Sequence, residues 1–316
     1  MKNSSLFAAT IFSVISCSTS KTNTTDIVYA EKIKSSGAMF HKNFSSGYFE
    51  KNGDLVTDDI YVNSNNTILI GRDKFVERIK RYNGPFPGMQ LKDRIVLAQG
   101  NTVAVHYILQ GYQKGKYGNF EATGNKVEAM SAEFFQMDEN GLMKNLLTIT
   151  QLDKLVDQIK GEKNIEQFQE VTLLPVLVTV DKAKTTKSTD SYLRNFNARN
   201  WEALSTLLDE NINVNWNGTT IQGRENCLVK FKERLIPFPD LTFQLDRTVI
   251  EGNRAAIGYT MIGKQTGNYN YKLTEIAASN KSIQVREAQF LEFNSYGKIN
   301  SIIVVSNEND IISIIK

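Results

Sequence analysis

One sequence skeleton is written twice in this chain, 152 residues apart. Gly71-Arg72 returns as Gly223-Arg224 and Pro85-Phe86-Pro87 returns as Pro237-Phe238-Pro239. The same offset relates Asn63 to Asn215, Asn65 to Asn217, Gly100-Asn101 to Gly252-Asn253, and Tyr107 to Tyr259. It also relates Gly111, Gly115 and Tyr117 to Gly263, Gly267 and Tyr269. Asp93-Arg94 matches Asp246-Arg247 one residue out of step. A repeat of this length is domain-sized rather than a solenoid unit, so the 316 residues must fold as two copies of one compact domain.

Within each copy the hydrophobic period changes. Phe40 and Phe44, or Tyr192 and Phe196, are four apart and share a helical face. A short extended segment (60–63 or 212–215) leads to a helix after Gly-Arg, which the Pro-Phe-Pro turn ends. The pattern then alternates by two. Val103, Val105, Tyr107 and Leu109 share one strand face, as do Ala255, Ile257, Tyr259 and Met261. Further strands are expected at 127–137, 142–150, 283–293 and 298–306. Helices first and long antiparallel strands afterwards define an α+β fold with helices on one face of a curved sheet. The boundaries expected are 28–161 and 191–316, joined by a linker over 162–190. Its apolar part, Thr172–Val180, is confined by Pro175 to an edge strand or a bulge, and its polar part, 181–189, is the connection proper.

The first residues read differently. Lys2 and the apolar run Leu6–Ile15 form a segment too short to span a bilayer. Val14-Ile15-Ser16-Cys17 resembles the lipobox of bacterial lipoproteins. The resemblance implies a signal peptide over residues 1–16, cleavage before Cys17 and lipid on its sulfur, with residues 17–27 as a polar tether. It implies a protein of the bacterial cell envelope, anchored to a membrane and facing the periplasm or the exterior. The alternative is an ordinary secretory signal with an incidental cysteine. Cys227 is then the one other cysteine, expected in a core. Lys+Arg 37 against Asp+Glu 34, with no basic cluster among aromatics, gives no support for nucleic-acid binding. Two histidines make a metal cage improbable, and no cofactor motif is present.

The first copy carries Gly111-Tyr112-Gln113-Lys114-Gly115, Ala122-Thr123-Gly124-Asn125-Lys126-Val127, a turn at Asp138-Glu139-Asn140-Gly141, and Asp157-Gln158-Ile159. This series resembles the SnoaL-like polyketide cyclase family. The second copy keeps Phe238-Pro239-Asp240, Gly263, Gly267 and Tyr296-Gly297-Lys298-Ile299, but lacks the Thr-Gly step. The resemblance implies the nuclear transport factor 2-like fold, here two tandem cone-shaped domains, each with a pocket for an apolar small molecule at its wide end. It also implies an aldol ring closure driven by a carboxylate on the last strand. The family's acid position falls on Gln151 in the first copy and Asn307 in the second, and neither side chain can be a general base. Asp153, two residues on, would be displaced by about 7 Å along a strand.

Three readings follow. In the first, the chain binds an apolar or aromatic small molecule with weak or no catalysis, using Asn63, Tyr107, Gln151, Asn215 and Tyr259. In the second, the first copy is a cyclase- or isomerase-type enzyme using His106, Glu133 or Asp153. In the third, the chain is a structural or interaction module. His106 could be a pocket imidazole, although a solvent- or interface-facing position on its strand is preferred. His41 is expected at the surface. A fused pair can bury the sheet face that a single-domain relative buries by dimerising, so a monomer with an intramolecular pseudo-dimer, or a weak homodimer, is expected.

Overall fold

The computed structural model describes residues 24–177 and 181–316, with side chains from Ile27 onward. The leader, Cys17 and the last three residues of the apolar segment, 178–180, lie outside the described residues.

The first domain runs α1 (Thr24–Ser45), β1 (Val56–Ser64), β2 (Thr67–Ile70), α2 (Arg72–Lys80), β3 (Gln90–Gln99), β4 (Thr102–Tyr112), β5 (Lys126–Met137), β6 (Met143–Thr150) and α3 (Leu152–Ile159). The second runs α4 (Lys182–Asn197), α5 (Trp201–Leu207), β7 (Leu208–Trp216), β8 (Thr219–Gln222), α6 (Arg224–Glu233), β9 (Thr242–Glu251) and β10 (Arg254–Lys264). It continues with β11 (Tyr269–Tyr271), β12 (Thr274–Ile276), β13 (Ser282–Phe293), β14 (Ile299–Ser306) and α7 (Glu308–Ile315). Each domain holds one six-stranded sheet, β2-β1-β6-β5-β4-β3 or β8-β7-β14-β13-β10-β9. The sheets are mixed rather than wholly antiparallel, because β1 pairs with β6, and β7 with β14, in parallel.

Two expected boundaries move. Thr24 already begins α1, inside the expected tether, and the polar stretch 181–189 is the first half of α4 rather than a linker. Asp181 caps that helix by accepting from the Ala183 N–H at 2.8 Å, and Thr185 and Thr189 are buried on its inner side. The polarity that suggested a linker therefore belongs to a cap and to hydroxyls with partners, Thr185 donating to the Gly252 carbonyl at 3.0 Å.

Other features of the repeat acquire physical causes. A Cβ on Gly115 would collide with the carbonyl of Gly84, and one on Gly267 with that of Ile236, so both copies need glycine where the loop crosses the Pro-Phe-Pro turn. The missing Thr-Gly step is replaced in kind. Thr123 N–H and hydroxyl donate to buried Gln113, and Ser279 N–H and hydroxyl donate likewise to buried Gln265. Gly124 and Asn280 follow at positive φ, +75° and +58°. The out-of-step Asp-Arg match is not a structural one. The β-bulges fall at Arg94 and Asp246, so Asp93 corresponds to Leu245, both standing opposite the repeated tyrosine.

Strand β4 is buried on both faces. Val103, Val105, Tyr107 and Leu109 point into the cup under α1, and Ala104, His106 and Ile108 point the other way. On that outer face the two sheets meet. Ile95, Leu97, Ile108, Met130 and Phe134 of the first domain pack on Val249, Ala256, Phe290, Ile303 and Val305 of the second. Phe134 and Phe290 stack with centroids 6.5 Å apart. The edges are tied reciprocally. Gln99 accepts from Ile250 N–H at 2.6 Å, and Glu251 accepts from Ala98 N–H at 2.7 Å. The apolar connecting segment forms no strand over residues 171–177 and packs on both domains. Leu174 N–H donates to the Arg94 carbonyl, Leu177 N–H to Asn253, and Val171, Leu174 and Val176 lie against the inter-sheet core.

Truncating Phe290 to Ala removes a ring that lies under both His106 and Phe134. We expect a loss of about 3–5 kcal/mol. Urea denaturation followed at two probes, one in each domain, checks this, and an unchanged midpoint would refute the role given to this contact.

Candidate functional site

The first cup is nearly filled. Its cavity is ≈ 80 Å³, walled by Phe40, Phe44, Phe75 and Tyr82 and floored by Tyr107 and Glu133. Drug-sized ligands occupy pockets of about 300–1,000 Å³. Beneath the floor lies a buried ionic cluster. His41 on α1 directs Nδ1 to Asp93 Oδ1 at 2.5 Å and Nε2 to Glu133 Oε2 at 2.9 Å. Both ring nitrogens meet carboxylates, so both donate and the ring is an imidazolium. Tyr107 and Thr148 donate their hydroxyls to Glu133 Oε1 at 3.0 and 3.2 Å. Burial alone would push the His41 pKa down. The hydrogen bonds to Asp93 and Glu133, with the charges of both, outweigh it and hold it up to about 9. Burial, then the Glu133 charge, pushes the Tyr107 phenol well above its ordinary range.

His41 is a correction to the sequence reading, which set it at the surface; it is 2 % exposed. The inward stripe of α1 is wide enough to take residues 40, 41 and 44 together. The signal was present in the other copy, where Leu193 stands at this position. The second domain replaces the whole cluster: His41, Asp93 and Glu133 correspond to Leu193, Leu245 and Gln289.

The remaining sequence-nominated residues divide sharply. Glu133 and Tyr107 border the first cavity. His106 does not. It packs between the sheets, its ring centroid 5.4 Å from that of Phe290, and Nδ1 donates to the Ser131 carbonyl at 3.0 Å. Burial lowers its pKa to about 4 and keeps it neutral there. Asp153 is not a strand residue, because β6 ends at Thr150 and Asp153 lies in the first turn of α3. Its carboxylate is buried with neither oxygen hydrogen-bonded, and burial raises its pKa to about 6. Gln151, on the aligned acid position, faces the domain seam, donating to Asn217 at 2.9 Å and accepting from Met130 N–H. Asn307 answers it from the other side, accepting from Asp153 N–H at 3.1 Å. Asn63 is buried in β1 with its carbonyl oxygen unpaired, and Asn215 accepts from Gly218 N–H in a turn; neither lines a cup. Tyr259 is buried below the second cup, donating to Glu287 and accepting from Gln289 at 2.6 Å.

The second cup is roomy where the first is nearly filled. Its cavity is ≈ 690 Å³, with Trp216, Phe238, Leu241, Met261 and Tyr269 among its walls. Arg234 enters from the end of α6. It forms a two-pronged pair with Glu287, both contacts 2.9 Å, and lies 4.9 Å from the Trp216 ring centroid. Asn217, rather than the nominated Asn215, borders this cavity. The sequence carried a signal for neither Arg234 nor Glu287, because the first copy has Tyr82 and Ser131 there and the repeat is silent.

Two family models match the chain. The SnoaL-like polyketide cyclase model matches residues 38–146, and the SnoaL-like domain model matches residues 189–302. The chain is a tandem SnoaL-like protein, and its two halves have the nuclear transport factor 2-like α+β cone fold. Among solved structures, a candidate SnoaL-like polyketide cyclase from Jannaschia sp. CCS1 is 16 % identical. The match covers 42 % of this chain and 93 % of that one, with a TM-score of 0.39. A candidate polyketide cyclase from Pseudomonas putida KT2440 is 22 % identical over 42 % of this chain and 98 % of that one, TM-score 0.36. A candidate ketosteroid isomerase from Kribbella flavida is 20 % identical over 40 % and 79 %, TM-score 0.31. No curated protein matches the chain.

The His41 cluster makes a signed prediction. Its pKa in the folded protein, about 9, lies above the unfolded value near 6.5. The stabilisation is therefore complete below pH 6.5 and is lost as the pH rises through 9, about 3 kcal/mol in all. His41→Leu should remove that slope and destabilise by about 3–5 kcal/mol, because buried Glu133 and half-buried Asp93 lose their cation. Adding Asp93→Leu and Glu133→Gln, the second domain's own residues, should recover most of the loss. Urea titrations at pH 6, 7.5 and 9 measure all three effects; a wild-type protein of equal stability at the three pH values would contradict the charge assignment.

Proposed function

We propose that this protein binds an apolar or aromatic small molecule in its second cup and that neither cup performs ring closure. One observation supports this reading above others: the second cup offers ≈ 690 Å³ behind an aromatic wall, and the first offers ≈ 80 Å³. The paired Arg234 brings N–H donors to the cup without a net charge, which suits an uncharged acceptor on a mostly apolar ligand. The alternative of an enzyme in the first domain draws on Glu133, the carboxylate bordering that cavity. Three donors already engage Glu133, and the space above it is too small for a polyketide-sized substrate.

The test uses 2-naphthamide, a neutral aromatic probe. Trp216 lies in the cup, so its fluorescence should quench on titration. Met261→Trp, which fills the second cup, should weaken binding at least about tenfold, and Leu146→Trp in the first should not. Binding lost only with Leu146→Trp would transfer the site to the first domain.

The lipobox-like Val14-Ile15-Ser16-Cys17 supports a second part of the proposal, attachment to a bacterial envelope membrane through lipid on Cys17. Among the described residues no helix is long and apolar enough to cross a membrane. Cys17→Ser should abolish radiolabelled palmitate incorporation and release the protein from the membrane fraction. Light scattering of that released form should give the mass of one chain, because the sheet faces are spent on each other. A membrane-bound Cys17→Ser protein, or a tight oligomer, would count against this part.

A further inference from the structure

We propose that the β11–β12 hairpin is a lid on the second cup, latched to the first domain by Lys272. This rests on the second cup being the ligand site. The hairpin is an addition to the repeat. Tyr117 and Tyr269 are 152 apart, whereas Thr123 and Ser279 are 156 apart, so four extra residues enter between them in the second copy. In the first domain this stretch makes a single bridge, Tyr117 to Phe120; in the second it makes a two-stranded sheet with partners Tyr269–Ile276, Asn270–Glu275 and Tyr271–Thr274.

Among the described residues that sheet has no third strand. An isolated two-stranded hairpin is marginally stable in water, so something else must hold it. Its base is anchored: Tyr269 and Ile276 pack on the domain core, and the Tyr269 hydroxyl donates to Glu308. Its tip is not packed, and Leu273 is fully exposed. Below the tip Asn270 and Tyr271 line the cup, and Lys272, the other tip residue, borders it as well. The ion pair at the tip crosses to the other domain. Lys272 Nζ donates to Asp157 at 2.5 Å and to Glu162 at 3.1 Å, on α3 and the turn after it. Lys154 of the same helix also borders the cup, so the first domain supplies both the jamb and the catch. Asp157 is buried and the lysine is partly exposed, which makes the latch a polar contact open to salt rather than an apolar seal.

Breaking the latch frees Tyr271 and Lys272 to swing away while Tyr269 and Ile276 act as the hinge. A lid that closes equally over empty and filled cup changes the rates of binding and release together and leaves the equilibrium alone. Lys272 is therefore a positioning residue, and the rates read its role.

Stopped-flow quenching of Trp216 by 2-naphthamide tests this in the full chain. Asp157→Asn with Glu162→Gln, which removes the catch without touching the cup lining, should raise association and dissociation rates alike by about two- to fivefold, with Kd changed less than about twofold. Added 0.5 M NaCl should accelerate the wild type and not the variant. Unchanged rates, or a Kd shift carried by one rate alone, would overturn the lid. If 2-naphthamide fails to bind the wild type, the ligand-site reading fails, and the latch is still tested by amide hydrogen exchange. Residues 269–276 should exchange faster in the Asp157→Asn, Glu162→Gln variant than in the wild type, and equal exchange would overturn the latch.

Discussion

The contact on which the rest depends is sheet against sheet. Each domain's central strands are buried on both faces, one covered by the helices of its own cup and the other by the neighbouring domain. Removing the partner would expose Ile108, Phe134 and their neighbours as one apolar patch, which a soluble surface does not tolerate at that size. The contact also fixes geometry. It sets α3 beside α7 and brings Asp157 within reach of a hairpin built by the other domain.

The two cups have diverged under this shared frame. In the first, a cation between two carboxylates pins α1 to the sheet, and aromatic side chains take the remaining space. In the second, those three positions hold Leu193, Leu245 and Gln289, and a different ion pair, Arg234 with Glu287, borders a much larger space. Neither arrangement puts an acid where the family frame would have it. The aligned residues, Gln151 and Asn307, stand just before the last helices and turn their side chains across the seam rather than onto the helix ends, so the aligned acid positions serve here as domain glue.

The duplication made the fold legible. Two copies of a helix-then-strand pattern, each with its glycine at the Pro-Phe-Pro crossing, were enough to expect two cones. What stayed hidden was hidden for physical reasons. His41 neighbours an inward phenylalanine by only one residue, and a helix face admits it once the buried charge is paired from strands that are distant in sequence. The Asp93-Arg94 match was misleading because both copies bulge at the same place, Arg94 and Asp246, so the plain 152-residue offset holds through the bulge and Asp93 corresponds to Leu245. Arg234 and Glu287 are absent from the first copy, so a method that reads shared residues passes over them. Asp181 to Thr189 read as linker because capping and back-bonded hydroxyls look, by composition, like solvent-facing chain.

The seam between the sheets is not symmetric at one point. His106 lies against Phe290, and the matching position on the other sheet is Gly258, where a Cβ would stand 3.1 Å from the ring of Phe134. One half carries a knob and the other a socket. His106 covers the Phe290 ring, and the room that Gly258 leaves is taken by the Phe134 ring. The imidazole of one half and the space left by the other are both taken up inside this single seam, so a change at either position is felt first by a phenylalanine of the opposite half.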